Sequence, residues 1–334
     1  MKGVRLLARF AAMLLSPALA PAVSAAPPAP EPVALPSGPC DRACLTDVLD
    51  AYLAAMVAHD PGRLLWASDA RYTENTSQLR PGEGLWATAS GLGHYRAVFA
   101  DTAGASIAFH GVMLENGEPV MLGLRLKLVG RRIAEAEHLV VRNADIARAY
   151  EARGAPPKLL DETVPPDRRV SREALIAAAD AYFDGIEQVS ARAIPFGEDC
   201  NRFENGRPTT NVTDIRKAPY AGPGADIWRR HFELGCAAGI DSGMFAFITE
   251  ARARRYVVAD EERGIVVAFV VFAHPGNIAS VQVAGHEPIR FPPVAMRPFD
   301  TFLLEAFKVD GGRIRQIEAV IGSYPLAMKT GWDN

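Results

Sequence analysis

The stretch Asp69-Ala-Arg-Tyr-Thr-Glu74-Asn75 returns 130 residues later as Asp199-Cys-Asn-Arg-Phe-Glu204-Asn205. At the same offset Asp50-Ala-Tyr52 matches Asp180-Ala-Tyr182, and Trp66 matches Phe196. A second pairing, Arg132-Ile-Ala-Glu-Ala-Glu137 with Arg313-Ile-Arg-Gln-Ile-Glu318, sits at offset 181, so the second copy carries about 51 extra residues between its anchors. An internal period decides the domain count before any other argument. A chain of 334 residues also exceeds what one hydrophobic core usually serves, which agrees with two units.

Residues 1–25 read as a secretory signal, with Lys2, Arg5 and Arg9 ahead of an apolar Phe10 to Leu15 core and small-residue sites ending at Ala20 or Ala25. Residues 26–39 form a Pro- and Ala-rich tether. The longest later apolar run, Ile265 to Ala273, suits a buried strand and is too short to span a bilayer. These features predict a periplasmic or secreted protein. A net charge of -3, with Lys and Arg scattered, offers no basic stripe to a nucleic acid. Four cysteines in an exported chain favour disulfides, and three pairings are possible. The expected pairs are Cys40 with Cys44, stapling the first turn of a helix, and Cys200 with Cys236, tying the Glu204 strand to an insertion in the second copy. A zinc site is the rival reading, disfavoured because no Cys-x-x-Cys or His cluster accompanies them.

In the first unit, residues 40–154, Asp41 can cap a helix whose Leu45, Val48, Leu49, Tyr52, Leu53 and Met56 share one face. His59-Asp60-Pro61 ends it. Arg63 to Ala67 allows a short second helix, Arg71 to Asn75 a strand, and Gly91 to Phe99 a third helix. Strands Ser106 to Glu115, Pro119 to Val129 and Arg132 to Arg142 follow, turning at Asn116-Gly117 and Gly130. Ala144 to Arg153 extends as a helix, and residues 155–170 link to the second unit, 171–334. There Ser171 caps the repeated helix, Arg252 to Asp260 and Gly264 to Ala273 form a hairpin, 274–298 reads as a long Pro-rich loop, and Thr301 to Val309 and Arg313 to Gly322 close the sheet. The fold class is α+β, two tandem units each with a curved antiparallel sheet wrapped on about three helices.

This element order is similar to the cone of nuclear transport factor 2-like proteins, which include SnoaL-like polyketide cyclases, limonene-epoxide hydrolases and ketosteroid isomerases. Tyr72-Thr-Glu74-Asn75, Gly84-Leu-Trp86, Gly312-Arg-Ile-Arg-Gln-Ile-Glu318-Ala-Val and Gly331-Trp332 resemble an uncharacterised exported branch of the SnoaL-like family, over residues 40 to 332. The resemblance implies an apolar pocket between sheet and helices that takes a small molecule. It does not carry over the catalytic residues of the well-studied enzymes, because their motif positions have no match here.

A carboxylate in such a cavity has a raised pKa and serves as general acid or base near neutrality. Glu74 is the candidate, with Tyr72 on the same strand face to polarise a substrate oxygen. The alternative is that Glu74 and Asn75 bind backbone groups at a strand end and hold the repeat together, as their recurrence would also require. His110 is a third catalytic candidate, with a core role as its alternative. Asn75, Trp86, Tyr95, Arg125, Glu204, Asn205, His231 and Asp241 are candidates for substrate binding. Arg125 could instead be ion-paired, and Glu137 and Glu318 could face the cone or solvent. No metal-ligand motif, phosphate loop, dinucleotide Gly cluster or nucleophile elbow is present. The reading is a cofactor-independent lyase, dehydratase or isomerase acting by acid–base chemistry on an apolar, oxygenated small molecule, aromatic, polyketide or terpenoid by analogy. A ligand carrier is the alternative, and a homo-oligomer is compatible with either.

Overall fold

The computed structural model describes residues 39–214, 230–284, 287–291 and 296–333, so the signal segment and nearly all of the tether lie outside the described residues. Helix α1 (Arg42–Val57) starts where the Asp41 side chain accepts from Cys44 N–H at 2.9 Å. Its Leu45, Leu49, Tyr52 and Met56 are buried, as the spacing requires. The chain then makes a 3₁₀ turn (Pro61–Arg63) and strands β1 (Trp66–Glu74), β2 (Ser77–Leu79), β3 (Ala89–Asp101), β4 (Ser106–Glu115), β5 (Glu118–Val129) and β6 (Arg132–Val141). Their order in the sheet is β2-β1-β6-β5-β4-β3, with β1 parallel to β6 and the other pairs antiparallel.

The short second helix expected over Arg63 to Ala67 is instead the end of that 3₁₀ turn and the start of β1. The helix expected over Gly91 to Phe99 is part of β3. Tyr95, Ala97 and Phe99 are buried in alternation, a strand period, and register breaks near Gly91 and between Leu92 and Arg96 mark bulges. Helix α2 (Ala144–Arg153) explains the second irregularity, because the Glu151 carboxylate accepts from the N–H groups of His94 (2.8 Å) and Tyr95 (3.0 Å). A Cβ at Gly93 would fall on that carboxylate and on Val112, so the bulge needs Gly there.

The second unit repeats the plan. Helix α3 (Arg172–Gln188), capped by Ser171, precedes β7 (Phe196–Glu204), β8 (Arg207–Pro208), α4 (Cys236–Asp241), β9 (Glu250–Asp260), β10 (Ile265–His274), a short ladder β11 (Ser280–Val281) with β12 (Ile289–Arg290), β13 (Phe299–Asp310) and β14 (Arg313–Pro325). The sheet order is β8-β7-β14-β13-β10-β9, and β7 runs parallel to β14. The extra residues fall in two places, before β9 and between β10 and β13, and the second holds that ladder where a loop was expected.

Each sheet buries one face under its own helix and the other against its twin, giving a helix, sheet, sheet, helix stack. One core joins α1 to Phe109, Leu122, Leu124 and Leu126; a second joins α3 to Val266, Val270 and Phe307; a third contains Tyr95, Phe99 and Val112 of one sheet with Val267, Phe269 and Leu304 of the other. β10 is therefore buried along its whole length. Charged groups at the seam are exchanged reciprocally. Arg42 at the start of α1 bonds Asp260 at the end of β9 (2.7 Å), and Arg172 at the start of α3 bonds Asp101 at the end of β3 (2.6 Å). Glu137 and Glu318, matching positions of β6 and β14, face neither a cone interior nor solvent. Each takes a bidentate arginine from the other unit, Arg255 and Arg153 respectively.

Both disulfides, Cys40–Cys44 and Cys200–Cys236, are formed, and they are compatible with export. Among the described residues no helix is long and apolar enough to cross a membrane.

Candidate functional site

The repeated Glu-Asn dipeptide divides into a constant half and a divergent half. Asn75 and Asn205 both have φ of 48°, and each side chain closes a two-bond ring on the backbone of the last strand, Asn75 on Val140 (2.7 and 3.0 Å) and Asn205 on Ile321 (2.9 and 3.1 Å). This pins the parallel strand pair in both units. Glu74 is buried. Its Oε2 accepts from Leu85 N–H (2.6 Å) and Tyr72 O–H (3.2 Å), and its Oε1 from Arg142 (2.8 Å). Gly84, at φ 66°, has no room for a Cβ because Glu74 Oε2 occupies the space. Glu204 instead pairs with Arg202, which stands where the first unit has Tyr72, and remains part exposed.

Beneath the first sheet Trp86 Nε1 donates to Tyr52 Oη (3.3 Å), Tyr52 Oη meets His138 Nε2 (2.8 Å), and His138 Nδ1 meets Tyr72 Oη (3.3 Å), which leads to Glu74. Burial pushes the His138 pKa down to about 3, so the ring is neutral, and burial likewise raises both tyrosines. Every polar atom of this chain is partnered, and Trp66 and Trp86 pack on Tyr52 at 5.9 and 5.1 Å. A fully satisfied network of this kind specifies a unique core.

His110 and Tyr95 are elsewhere, in the layer between the sheets. His110 packs on Phe99 with its Nε2 unpartnered and its pKa lowered by burial to about 3, while Tyr95 packs on Tyr150 at 4.8 Å. Tyr72 and Glu74 are thus hydrogen-bonded to each other, and His110 is not brought to them. Arg125 also faces the other sheet, ion-paired with Glu135 and 4.0 Å from Glu137. Asp241 accepts from Ala191 N–H (2.7 Å) and secures the turn after α3.

The helix-side layer of the second unit is different. Glu305 of β13 occupies the register position of Leu124, since it pairs with Ala319 as Leu124 pairs with His138. Glu305 is fully buried, and neither of its oxygens has a hydrogen-bond partner. Among the described residues its ion-pair partner is Arg202, with Nη2 3.7 Å away. Burial raises the Glu305 pKa to about 7, against the lowering by Arg202. Tyr182 stands by with its hydroxyl unpartnered. Arg202, Tyr182, Thr210, His231, Phe245 and Ile317 are among the residues that line a space of about 10 Å³, room for one water. His231 has its pKa lowered to about 4 by burial first and by Arg202 second. Of the substrate-binding candidates named from the sequence His231 lies here, with Tyr182 and Phe196 of the repeat and Cys236 of the disulfide. Glu305 was missed because Leu-Leu-Glu-Ala-Phe reads as any strand with an outward-facing acid.

A family model described as a domain of unknown function (DUF8021) matches residues 168–321, nearly all of the second unit. No curated protein matches the chain. Among solved structures, a phenazine biosynthesis-related protein (PhzB2) of Pseudomonas aeruginosa is 13% identical, with 45% of this chain and 80% of that one covered and a TM-score of 0.24. A de novo designed protein with a curved β-sheet is 12% identical, covering 46% of this chain and 88% of its own, with a TM-score of 0.22. At these TM-scores neither bears on function.

Proposed function

We propose that this is an exported, SnoaL-like acid–base enzyme, a lyase, dehydratase or isomerase, whose chemistry resides in the second unit, with Glu305 as the proton-transfer group. The observation that carries the reading is a fully buried carboxylate with no hydrogen bond to either oxygen, 3.7 Å from Arg202 and beside the Tyr182 hydroxyl; burial raises its pKa to about 7 against the lowering by Arg202 and Tyr182. Native interiors satisfy their polar groups, and exceptions concentrate where chemistry is done. On a carbonyl compound, Glu305 would take a proton from the carbon next to the carbonyl, and Arg202 and Tyr182 would stabilise the negative charge that develops on oxygen. The carboxylic acid then returns the proton to another carbon, which isomerises the substrate, or to a departing oxygen, which completes an elimination. Phe196, Phe245 and Ile317 are the apolar lining of the water-sized space beside Arg202 and Tyr182, which must widen toward Glu305 to admit a substrate. The first unit, with its network complete, serves as scaffold, and Glu74 belongs to that scaffold. Binding without turnover is the second reading, and under either a ligand enters only when a wall residue swings aside, since the free space holds about one water.

A thermal-shift screen of aromatic and terpenoid carbonyl compounds identifies a ligand, and turnover of that ligand is then compared across variants. Glu305→Gln should lower the rate about 10²- to 10⁴-fold, whereas Glu74→Gln should lower the melting temperature and leave the rate of the folded protein unchanged. An unchanged rate for Glu305→Gln overturns the assignment, and tight binding with no turnover by the wild type selects the carrier. A check without substrate is also available. Between about pH 4.5 and pH 7 the folded state holds the Glu305 proton that the unfolded chain releases, so this group lowers stability as pH rises through that window. The unfolding free energy of Glu305→Gln relative to wild type should therefore rise from pH 4.5 to 7 and level off above.

A further inference from the structure

Arg202 stands between two carboxylates in unlike surroundings. It and Glu204 are two residues apart on β7, so both side chains leave the same face of the strand. Its Nη1 donates to Glu204 Oε1, while its Nη2 lies 3.7 Å from Glu305, whose oxygens accept no hydrogen bond. The Glu204 side chain is 30% exposed and Glu305 is wholly buried. The guanidinium is held in place by rings on two sides, its carbon 5.9 Å from the centre of Tyr182 and 5.6 Å from that of Phe245. The first unit has no such arrangement, because Tyr72 stands at the position of Arg202 and Leu124 at that of Glu305.

A guanidinium and a carboxylate joined by a hydrogen bond have no net charge, so a third group beside them feels a dipole rather than a unit charge. Without Glu204 the whole charge of Arg202 would act on Glu305 at 3.7 Å, inside a site that excludes water. An opposite charge at that range holds a carboxyl ionised, and a carboxylate so held is a poor proton acceptor and cannot return a proton as an acid. No other group among the described residues supplies the balance. Tyr182 of α3 presents a neutral hydroxyl, and the cross-strand partners of Glu305, Ala268 and Ala319, carry no charge. His231, which lines the same space as Arg202, is neutral because burial and then Arg202 lower its pKa to about 4.

We propose that Glu204 is a positioning residue for Glu305: by holding the hydrogen bond and the counter-charge of Arg202, it keeps the guanidinium from closing an ion pair on Glu305 and leaves that carboxyl able to take and return a proton. The inference rests on the assignment of Glu305 as the proton-transfer group.

The test is an infrared pH titration of the full chain, following the C=O stretch that a carboxyl shows only when protonated. The part of that band missing from Glu305→Gln belongs to Glu305, and it should fade with a midpoint of about 7 in the wild type. Glu204→Gln should lower the midpoint by about one pH unit, a tenfold weaker hold on the proton. Glu204→Ser serves in its place if that variant does not fold. Glu204→Asp keeps the charge and should restore most of the midpoint. In the Arg202→Gln background there is no cation for Glu204 to hold, and Glu204→Gln should then leave the midpoint where it is, whereas a site merely loosened would still show the fall. A midpoint unmoved or raised in Glu204→Gln, a fall as large in Glu204→Asp, or an equal fall in the Arg202→Gln background overturns the inference and leaves Glu305 as assigned. A wild type without a band that Glu305→Gln removes overturns the assignment of Glu305, and this inference with it.

Discussion

Asn75 and Asn205 are the residues on which the repeat depends. Each occupies left-handed backbone, which Asn tolerates better than other non-glycine residues, and each spends its amide on both backbone groups of one residue in the neighbouring parallel strand. Asn75→Ala and Asn205→Ala should each cost about 2 kcal/mol, from two lost hydrogen bonds and the φ penalty, and the effects should add because the sites are distant. Urea unfolding measures this, and two variants as stable as the wild type would remove the Asn from its architectural role. The recurrence of the dipeptide was visible in the chain, but the division of labour was not. Glu74 and Glu204 look equivalent in sequence, and their environments differ because Tyr72 and Arg202 stand beside them.

At the scale of the element, β3 shows where local reading fails. Its Gly91, Gly93 and small residues look like turn and helix material, and only the Glu151 carboxylate from α2, more than fifty positions on, satisfies the N–H groups that the bulge frees. Glu151→Ala should strand two amides, costing about 1 to 3 kcal/mol, and hydrogen exchange at His94 and Tyr95 should accelerate more than in β4. Uniform exchange across both strands would contradict it. The two disulfides differ in the same way. Cys40–Cys44 closes a loop of separation 4 and Cys200–Cys236 one of 36, so loop-closure entropy assigns about 2 and about 4 kcal/mol to them. Replacing the second pair by Ser should lower the melting temperature more than replacing the first. An equal loss would point to native contacts rather than chain entropy.

In the whole molecule two similar units meet as the halves of a symmetric dimer do, with Arg42–Asp260 mirrored by Arg172–Asp101. Layering two sheets between two helices also buries histidines. His110 and His138 have pKa values of about 3, and His231 and His274 of about 4, in each case chiefly through burial. Each binds a proton in the unfolded chain below about pH 6.5 but not in the folded one. Stability is therefore full above that pH and falls as pH drops toward 4, by up to about 1.4 kcal/mol per pH unit per residue. Above about pH 4.5 Glu305 acts in the opposite direction, and so does Glu137, whose pKa burial also raises, against the four histidines. Denaturant titrations at pH 7 and pH 5 should show the loss, and His110→Phe, which removes a group with an unpartnered nitrogen, should lessen it. A pH slope unchanged in that variant would show that His110 is not among the causes.

The chain fixes its own duplication, the first helix of each unit, the hairpins, the closing strands and both disulfide pairs. These rest on short-range signals: a buried face at helical spacing, Asn-Gly and Gly turns, strand alternation, and cysteines with few available partners. Packing alone settles which polar residues matter. Glu137 and Glu318 acquire arginine partners from the other unit, Leu124 and Glu305 occupy one register position with opposite chemistry, and Trp332 walls a cleft against residues far away in the chain. A carboxylate's pKa and partners are properties of its surroundings. The residues that surround Glu305 and Arg125 converge only when one sheet closes under its helix and the two sheets close on each other.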